Sequence, residues 1–219
     1  MARIHWLLTV VAAAAISLAV QGGGAKPVWA GSTATEASAI RAAPDAFISD
    51  LANRVFALLK DASLSSADRE LRLRELARQT FDVEGITRFL AGRAWRTASD
   101  DERKAFGVLL EDYILRVYAS RVGVIDRAPT FVIRAVRPEG DASVVVSEFV
   151  RPDGPPARAE WRVVKKGDGL RIADVSVEGI SLALTQRDEF AAVIQRNGGT
   201  LAGLMQVMRQ RIAEADRGK

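Results

Sequence analysis

The sequence contains no cysteine, and its single histidine is His5, near the N-terminus. The missing thiols exclude disulfide bonds, thiolate nucleophiles and cysteine-ligated zinc. After residue 5 there is no imidazole, which excludes Ser-His-Asp and Cys-His catalytic groups and histidine-ligated zinc. The sequence also has no G-x-x-x-x-G-K-[ST] or G-x-G-x-x-G phosphate-binding loop. These absences predict a protein that is not an enzyme and has no cofactor or metal.

Two carboxylates keep an enzymatic alternative open. Glu148 and Asp174 lie in predicted strands, and two carboxylates that meet in a cavity can act as general acid and base. Strand carboxylates are more often exposed or paired with arginine, so a small-substrate enzyme is the alternative hypothesis. A second alternative is a periplasmic adaptor or chaperone that binds protein through exposed apolar helix faces.

Residues 1–30 have the composition of a secretory signal peptide. Arg3 precedes an uncharged apolar run from Trp6 to Val20, and small residues precede the expected cleavage after Ala30. The run of about fifteen residues is shorter than the roughly 20 that span a membrane, although an uncleaved anchor is the alternative. We therefore predict export to the periplasm with a cleaved signal peptide.

The rest of the chain divides into a short lead and one domain. Residues 31–43 are rich in Ser, Thr and Ala and predict a flexible lead, whereas periodic apolar patterns occupy residues 44–215. This length fits one well-packed domain. Without residues 1–30 the chain has 29 basic and 27 acidic side chains, a net charge of +2, which gives no indication of nucleic-acid binding.

Apolar residues at helical spacing predict helices on both sides of a central strand-rich segment. Pro44 suits the first turn of one helix, Ser65 precedes a second, and Asp82 caps a third that ends near Gly92. Two more helices follow the strands and are separated by Asn197-Gly198-Gly199. The first helix has one apolar stripe, which consists of Phe47, Ile48, Leu51, Val55, Leu58 and Leu59.

The clearest local signal is a capping box, in which Ser99 is followed three residues later by Glu102. Apolar and aromatic residues then repeat at intervals of three and four as far as Tyr118, and Gly123 ends the pattern. The pattern predicts a helix from about Asp100 to Arg121, roughly 33 Å long, with a wide apolar and aromatic face.

After Pro129 the apolar period changes from helical to two, which predicts strands. Turn sequences at Pro138–Asp141, Pro152–Pro155 and Lys166–Gly169 separate four of them. One-sided alternation is clearest in the third strand and indicates that one face of the sheet is covered. The order of elements predicts a single α+β domain, with a four-stranded antiparallel sheet packed against several helices.

Short stretches spread over residues 45–212 carry a resemblance. They are Phe81-Asp82, Leu90 to Arg96, Phe106, Tyr113 to Tyr118, Trp161-Arg162-Val163, Asp174-Val175, Val177 to Ser181, Arg187 to Phe190 and Gly198-Gly199. Each stretch is weak alone, but their order and spacing resemble the MlaC-type periplasmic phospholipid-binding proteins, also called toluene-tolerance or ABC-transporter auxiliary components. Ala91 and the proline-rich turn at 152–156 depart from the pattern.

The resemblance implies an NTF2-like fold that encloses an apolar cavity for the acyl chains of a phospholipid. It also implies a carrier that shuttles lipid between an outer-membrane lipoprotein complex and an inner-membrane ABC transporter complex. A hopanoid-associated branch of similar proteins exists, so a hopanoid-like lipid is an alternative cargo. Hiding the roughly 30 methylenes of a diacyl lipid from water is worth on the order of 25 kcal/mol, which requires a deep pocket.

We expect the long helix to lie across the Trp161 face of the sheet, so that the two surfaces form the pocket walls. The predicted lipid-binding residues are Phe106, Leu110, Tyr113, Ile114, Val117, Tyr118, Phe149, Trp161 and Val163. For each of them the alternative is an ordinary place in the core. Arg93 and Arg96 are predicted to contact a lipid headgroup or a partner protein, with surface ion pairing as the alternative.

Overall fold

The structure is a computed structural model that describes residues 43–114, 130–150 and 154–217. The predicted signal peptide lies outside these ranges, and so does the predicted lead apart from Ala43. Val117, Tyr118 and the predicted end of the long helix near Arg121 also lie outside them.

The helices before the sheet are α1 (Pro44–Lys60), α2 (Ser66–Thr80), α3 (Val83–Ala91), α4 (Ala94–Thr97) and α5 (Asp100–Tyr113). Three of these helices begin at capping side chains that the sequence predicts. Ser65 and Asp82 each accept a hydrogen bond from the backbone N–H three residues further on, and the capping box between Ser99 and Glu102 is present. Gly92 follows α3 at φ 56°, a conformation that other residues rarely adopt.

The sheet is an antiparallel meander of β1 (Thr130–Glu139), β2 (Ala142–Val150), β3 (Ala157–Lys166), β4 (Gly169–Val177) and β5 (Ile180–Ser181). The predicted number of four strands is therefore wrong. Glu178 and Gly179 have φ values of 49° and 78° and turn the chain back, so that Ile180 pairs with Val177. A strand of two residues is too short to show a period of two, and the sequence therefore gives no sign of it.

Two helices, α6 (Leu182–Arg196) and α7 (Leu201–Arg217), complete the described chain. The predicted single α+β domain with an antiparallel sheet is confirmed. No helix within the described ranges combines the length and the apolar character needed to cross a membrane.

Two hydrophobic clusters divide the interior. The first, the sheet core, joins the inner face of the sheet to α1 and to Leu76 of α2. Its largest fully buried residues include Ile48, Val145, Val163 and Ile172. The second, the helical core, joins residues of α3 to α7 and includes Leu90, Phe106, Leu110, Tyr113, Phe190 and Met208. Helix α2 lies beside both clusters.

The position predicted for the long helix is wrong for its described part. Helix α5 packs mainly against α3 and α7, and the rings of Phe106 and Tyr113 contact Phe190 of α6 at centroid distances of 6.3 and 5.9 Å. Helix α1 covers the Trp161 face instead. Both helices have an apolar stripe, and periodicity shows that a helix has such a stripe without showing which surface the stripe covers.

The outer face of the sheet is covered by alternating charges. Arg134 pairs with Glu148, Arg137 and Arg158 pair with Glu160, and Arg162 pairs with Glu139 and Asp141. Val144 is only 4% exposed on this face because it lies in register between two of these arginines. The aliphatic parts of the arginine side chains can cover such a residue while their charged ends stay in water.

A buried hydrogen bond links two strands within the sheet core, and this bond gives a stability prediction. The indole N–H of Trp161 donates to Oγ of fully buried Ser147 at 2.8 Å. The substitution Ser147→Ala leaves the indole without this acceptor, so we expect the free energy of unfolding to fall by about 1–3 kcal/mol. Urea denaturation measures the change. Ser143→Ala on the same strand is the control, and equal effects of the two substitutions would contradict the role of Ser147.

Candidate functional site

An apolar cavity of about 150 Å³, cavity A, lies between the α1–α2 pair and the inner face of the sheet. Its helical wall includes Leu51, Val55 and Leu73, and its sheet wall consists of Phe131, Phe149 and Trp161. The apolar stripe of α1 faces the sheet, with Ile48 and Leu51 buried. The space therefore lies inside the sheet core, where the helix pair leaves part of the sheet unfilled.

The sheet wall of cavity A is aromatic because of strand register. Phe131 on β1 lies directly opposite Phe149 on β2, and their ring centroids are 5.2 Å apart. Phe131 also contacts Trp161 edge-on at 6.4 Å. Tilted and edge-on contacts of this kind stabilise an aromatic cluster beyond the area it buries, so the three rings form a firm wall.

Cavity A offers almost no polar group to a ligand. Thr80 is the one polar residue among those that line it, and the Thr80 hydroxyl already donates to the carbonyl oxygen of Leu76 at 2.7 Å. A lining without a free charge or hydrogen-bonding group favours hydrocarbon over polar ligands, because a buried polar group without a partner is costly.

A second apolar cavity of about 190 Å³, cavity B, lies where α2, α3 and α5 meet. Its apolar lining consists of Ala77, Phe81, Val83, Ile86, Leu110 and Ile114. Arg74, Arg78 and Glu111 also border it, and so does Thr87. Cavity B therefore differs from cavity A in having charged groups at its edge.

Ion pairs connect α2 to α5 at the edge of cavity B. Arg78 donates two hydrogen bonds to Glu111, at 2.9 and 2.7 Å, and Arg74 lies 3.4 Å from Asp112. The hydrogen bond with Glu111 is the main cause of a raised pKa for Arg78. Both arginines therefore pair with carboxylates of α5 beside an apolar space.

The predicted lipid-binding residues that the structure describes lie in separate parts of the domain. Phe149 and Trp161 line cavity A, whereas Leu110 and Ile114 line cavity B. The other three described members lie in the cores, outside the lining of both cavities: Phe106 and Tyr113 in the helical core and Val163 in the sheet core. The Tyr113 hydroxyl accepts a hydrogen bond from Arg211 at 3.0 Å, so it is engaged within the protein. The described residues of the predicted set do not form one wall.

Arg93 and Arg96 lie at the short helix α4 and are exposed. Neither lines cavity A or cavity B. A contact with a headgroup or a partner at these positions therefore stays a prediction, and any such contact would be made at the surface of the helical core.

The two carboxylates of the enzymatic alternative do not meet. Glu148 on β2 pairs with Arg134 at 2.7 Å. Asp174 on β4 accepts hydrogen bonds from the Ser181 hydroxyl and from the backbone N–H of Ala183 at 3.1 Å. Strand β3 separates β2 from β4. Among the residues that the structure describes, no group of three or more His, Cys, Asp or Glu is placed to hold a metal ion.

The sequence interpretation missed the contribution of α1 and α2 to the cavities. Leu51, Val55 and Phe56 of α1 line cavity A together with Leu73 and Ala77 of α2. The apolar stripe of α1 is visible in the sequence, but the pocket wall was predicted on the long helix instead. Helix α2 has a weak signal, since Leu76 and Thr80 are its only buried residues among those whose side chains are described.

The comparisons with known proteins agree with this arrangement. Residues 49–210, nearly three quarters of the chain and running from α1 into α7, match the sequence model of the MlaC protein family. The solved structure of a phospholipid-binding protein from Ralstonia solanacearum, in complex with a phospholipid, is similar with a TM-score of 0.67 and 25% sequence identity. The match covers 80% of this chain and 99% of that chain. The chain belongs to the MlaC protein family.

Proposed function

We propose that this protein is a lipid carrier, and that it binds a phospholipid by its acyl chains in cavity A. The observation that carries the proposal is the lining of cavity A, which is apolar apart from a hydroxyl that is already hydrogen-bonded. Membership of the MlaC family and the bound phospholipid in the similar Ralstonia protein support the same ligand class.

The size of cavity A requires that the protein opens to load lipid. A cavity of about 150 Å³ in a protein interior holds a molecule of about the size of benzene, whereas a diacyl lipid has about 30 methylenes to hide. The described structure therefore corresponds to a contracted form of the site. Lipid binding must move one wall away from the other.

Helix α2 is the wall that moves most easily. It buries little of its own surface, and its link to α5 consists mainly of ion pairs whose arginines are 25% and 50% exposed. Exposed ion pairs contribute only about 0–1 kcal/mol each, so separating them costs little. The aromatic sheet wall, in contrast, is held by two neighbouring ladders of backbone hydrogen bonds.

Family membership and the signal-peptide composition of residues 1–30 support a wider proposal. We place the carrier in the periplasm, where it shuttles phospholipid, or a hopanoid-like lipid, between an outer-membrane lipoprotein complex and an inner-membrane ABC transporter complex. An NTF2-like arrangement of sheet and helices that closes around the ligand belongs to the same proposal. The separation of Glu148 from Asp174 favours a carrier over the enzymatic alternative.

Native mass spectrometry tests the ligand directly. We expect the purified full chain to carry close to one phospholipid per molecule, released only when the protein is unfolded or treated with detergent. A preparation without any lipid, which also fails to take up phosphatidylglycerol from vesicles, would contradict the proposal.

Thermal unfolding tests whether lipid binding stabilises the folded protein. An empty cavity of about 150 Å³ destabilises a core by about 4 kcal/mol before relaxation. Phospholipid at about 100 times its dissociation constant stabilises the folded state by about 2.7 kcal/mol. We therefore expect the melting temperature of lipid-loaded protein to exceed that of stripped protein by roughly 5–10 °C. Equal melting temperatures would contradict binding of the lipid to the folded protein.

A cavity-filling substitution separates lipid binding from stability. Ala52 of α1 is half-buried and lines cavity A, so the ring introduced by Ala52→Phe occupies the space that acyl chains would take. We expect this variant to lose its lipid while its free energy of unfolding stays equal or rises. Ala57→Phe, at an exposed position of the same helix, is the matched control and should keep its lipid. Normal lipid content in Ala52→Phe would exclude cavity A as the site.

A further inference from the structure

Cavity A and cavity B share part of their walls. Ala77 of α2 and Phe81, which follows α2, line both of them. Of these two shared side chains, the methyl group of Ala77 is small and the ring of Phe81 is large. The separation of cavity A from cavity B therefore depends largely on the position of this one ring.

The backbone of Phe81 is fixed, but its ring is less constrained. The Phe81 N–H donates to the carbonyl oxygen of Ala77 at 2.8 Å, and the next N–H, of Asp82, donates to Ile172 of β4 at 2.9 Å. Phe81 also forms an isolated parallel bridge with Ile172. The ring itself is only half-buried, so a change of side-chain rotamer can move it without disturbing these backbone bonds.

Cavity B contains a polar group without a hydrogen-bond partner among the described residues. The Thr87 residue is only 4% exposed, and no described residue makes a hydrogen bond with its Oγ1. A buried hydroxyl without a partner is unfavourable by about 1–3 kcal/mol. A saturated hydrocarbon cannot satisfy it, whereas a ligand with a carbonyl oxygen at this position can accept its hydrogen bond.

The groups at the edge of cavity B fit the polar end of a phospholipid. Arg74 and Arg78 border the same cavity as Thr87, and movement of α2 away from α5 would release them from their ion pairs with Asp112 and Glu111. In a phospholipid the ester carbonyls lie next to the phosphate, so a ligand with its ester at Thr87 places its anionic group near these arginines. Cavity A, without any charge, is the complementary environment for the distal part of a chain.

We infer that cavity A and cavity B are two compartments of one lipid site, joined when the Phe81 ring turns aside, with the ester region at Thr87 and the distal chain in cavity A. This inference rests on the proposed function and deepens it. It assigns the ligand to ester-bearing lipids, because a hopanoid-like hydrocarbon carries no acyl ester to accept the Thr87 hydrogen bond. It also gives Phe81 and Thr87 roles in the site that the sequence pattern did not indicate.

A comparison of ester and ether lipids tests the role of Thr87. The full chain, stripped of lipid, is titrated with diester phosphatidylglycerol and with its diether analogue, which has the same chains and headgroup but no ester carbonyl. We expect the protein to bind the diester about tenfold more tightly, and Thr87→Val to bind the two lipids equally. Thr185→Val is the matched control, because Thr185 lines neither cavity and its hydroxyl already donates to the carbonyl oxygen of Ser181, and it should keep the tenfold preference.

Photocrosslinking tests the position of the lipid along its length. One diester phosphatidylglycerol carries a diazirine beside the ester, and a second carries it at the chain end. We expect the diazirine beside the ester to crosslink to α3 and α5. The diazirine at the chain end should crosslink to α1 and to the strands that line cavity A. With Phe81→Trp, which enlarges the side chain between the two cavities, the label on α3 should fall at least about fivefold relative to the label on α1. Phe47→Trp, at a half-buried position of α1 that lines neither cavity, is the control and should leave the α3 label in place.

The outcomes separate this inference from the proposed function. An equal affinity of the unmodified protein for diester and diether, an unchanged preference in Thr87→Val, or both labels confined to cavity A would overturn the two-compartment site while leaving a lipid carrier intact. Failure of the unmodified protein to bind either lipid would overturn the carrier proposal as well.

Discussion

The inner face of the sheet must be covered, and the domain depends on how α1 and α2 cover it. Helix α1 contributes Ile48 and Leu51 to the sheet core, while α2 contributes Leu76 and otherwise remains close to the surface. The contact between α1 and the sheet keeps the two layers together, because burial of apolar area is the main favourable term in folding. The contact between α2 and the sheet is smaller and leaves unfilled space beneath α2. The same packing arrangement therefore holds the domain together and leaves an apolar cavity between α2 and the sheet.

The division of the interior into two cores explains how one wall can move without unfolding the domain. The helical core is closed by contacts among α3 to α7, including the Phe106, Tyr113 and Phe190 rings. The sheet core is held by strand pairing and by the buried hydrogen bond from Trp161 to Ser147. Helix α2 contributes Leu76 to the sheet core and is linked to α5 of the helical core by the ion pairs of Arg74 and Arg78. Local opening at such an element needs less free energy than global unfolding.

Local chemistry made much of the fold predictable from the sequence. The caps at Ser65, Asp82 and Ser99 and the one-sided alternation around Trp161 each depend on residues close together in the chain. The family resemblance was also correct. The location of the cavities was not predictable in the same way, because it depends on which apolar stripe covers which surface. Phe106 and Leu110 lie one helical turn apart, yet only Leu110 borders cavity B.

Several residues that carried the resemblance connect secondary-structure elements and do not line either cavity. Asp174 receives hydrogen bonds from Ser181 and Ala183 and so ties β4 to the start of α6. Glu178 exchanges hydrogen bonds with the backbone of Arg158 across the end of the sheet. Residues with such roles tolerate little change, whereas an apolar lining accepts many side chains of similar volume. The pattern of the resemblance therefore includes such connections as well as lining residues like Phe81 and Trp161.

The alternating charges on the outer face of the sheet have a consequence for how the molecule meets a bilayer. Arg134, Arg137, Arg158 and Arg162 are opposed by Glu139, Asp141, Glu148 and Glu160 within ion-pair distance. Opposite charges at this spacing cancel beyond about one Debye length, roughly 8–10 Å. This side of the protein therefore exerts little long-range attraction on anionic lipid headgroups, so adsorption through it is weak and its release is correspondingly easy.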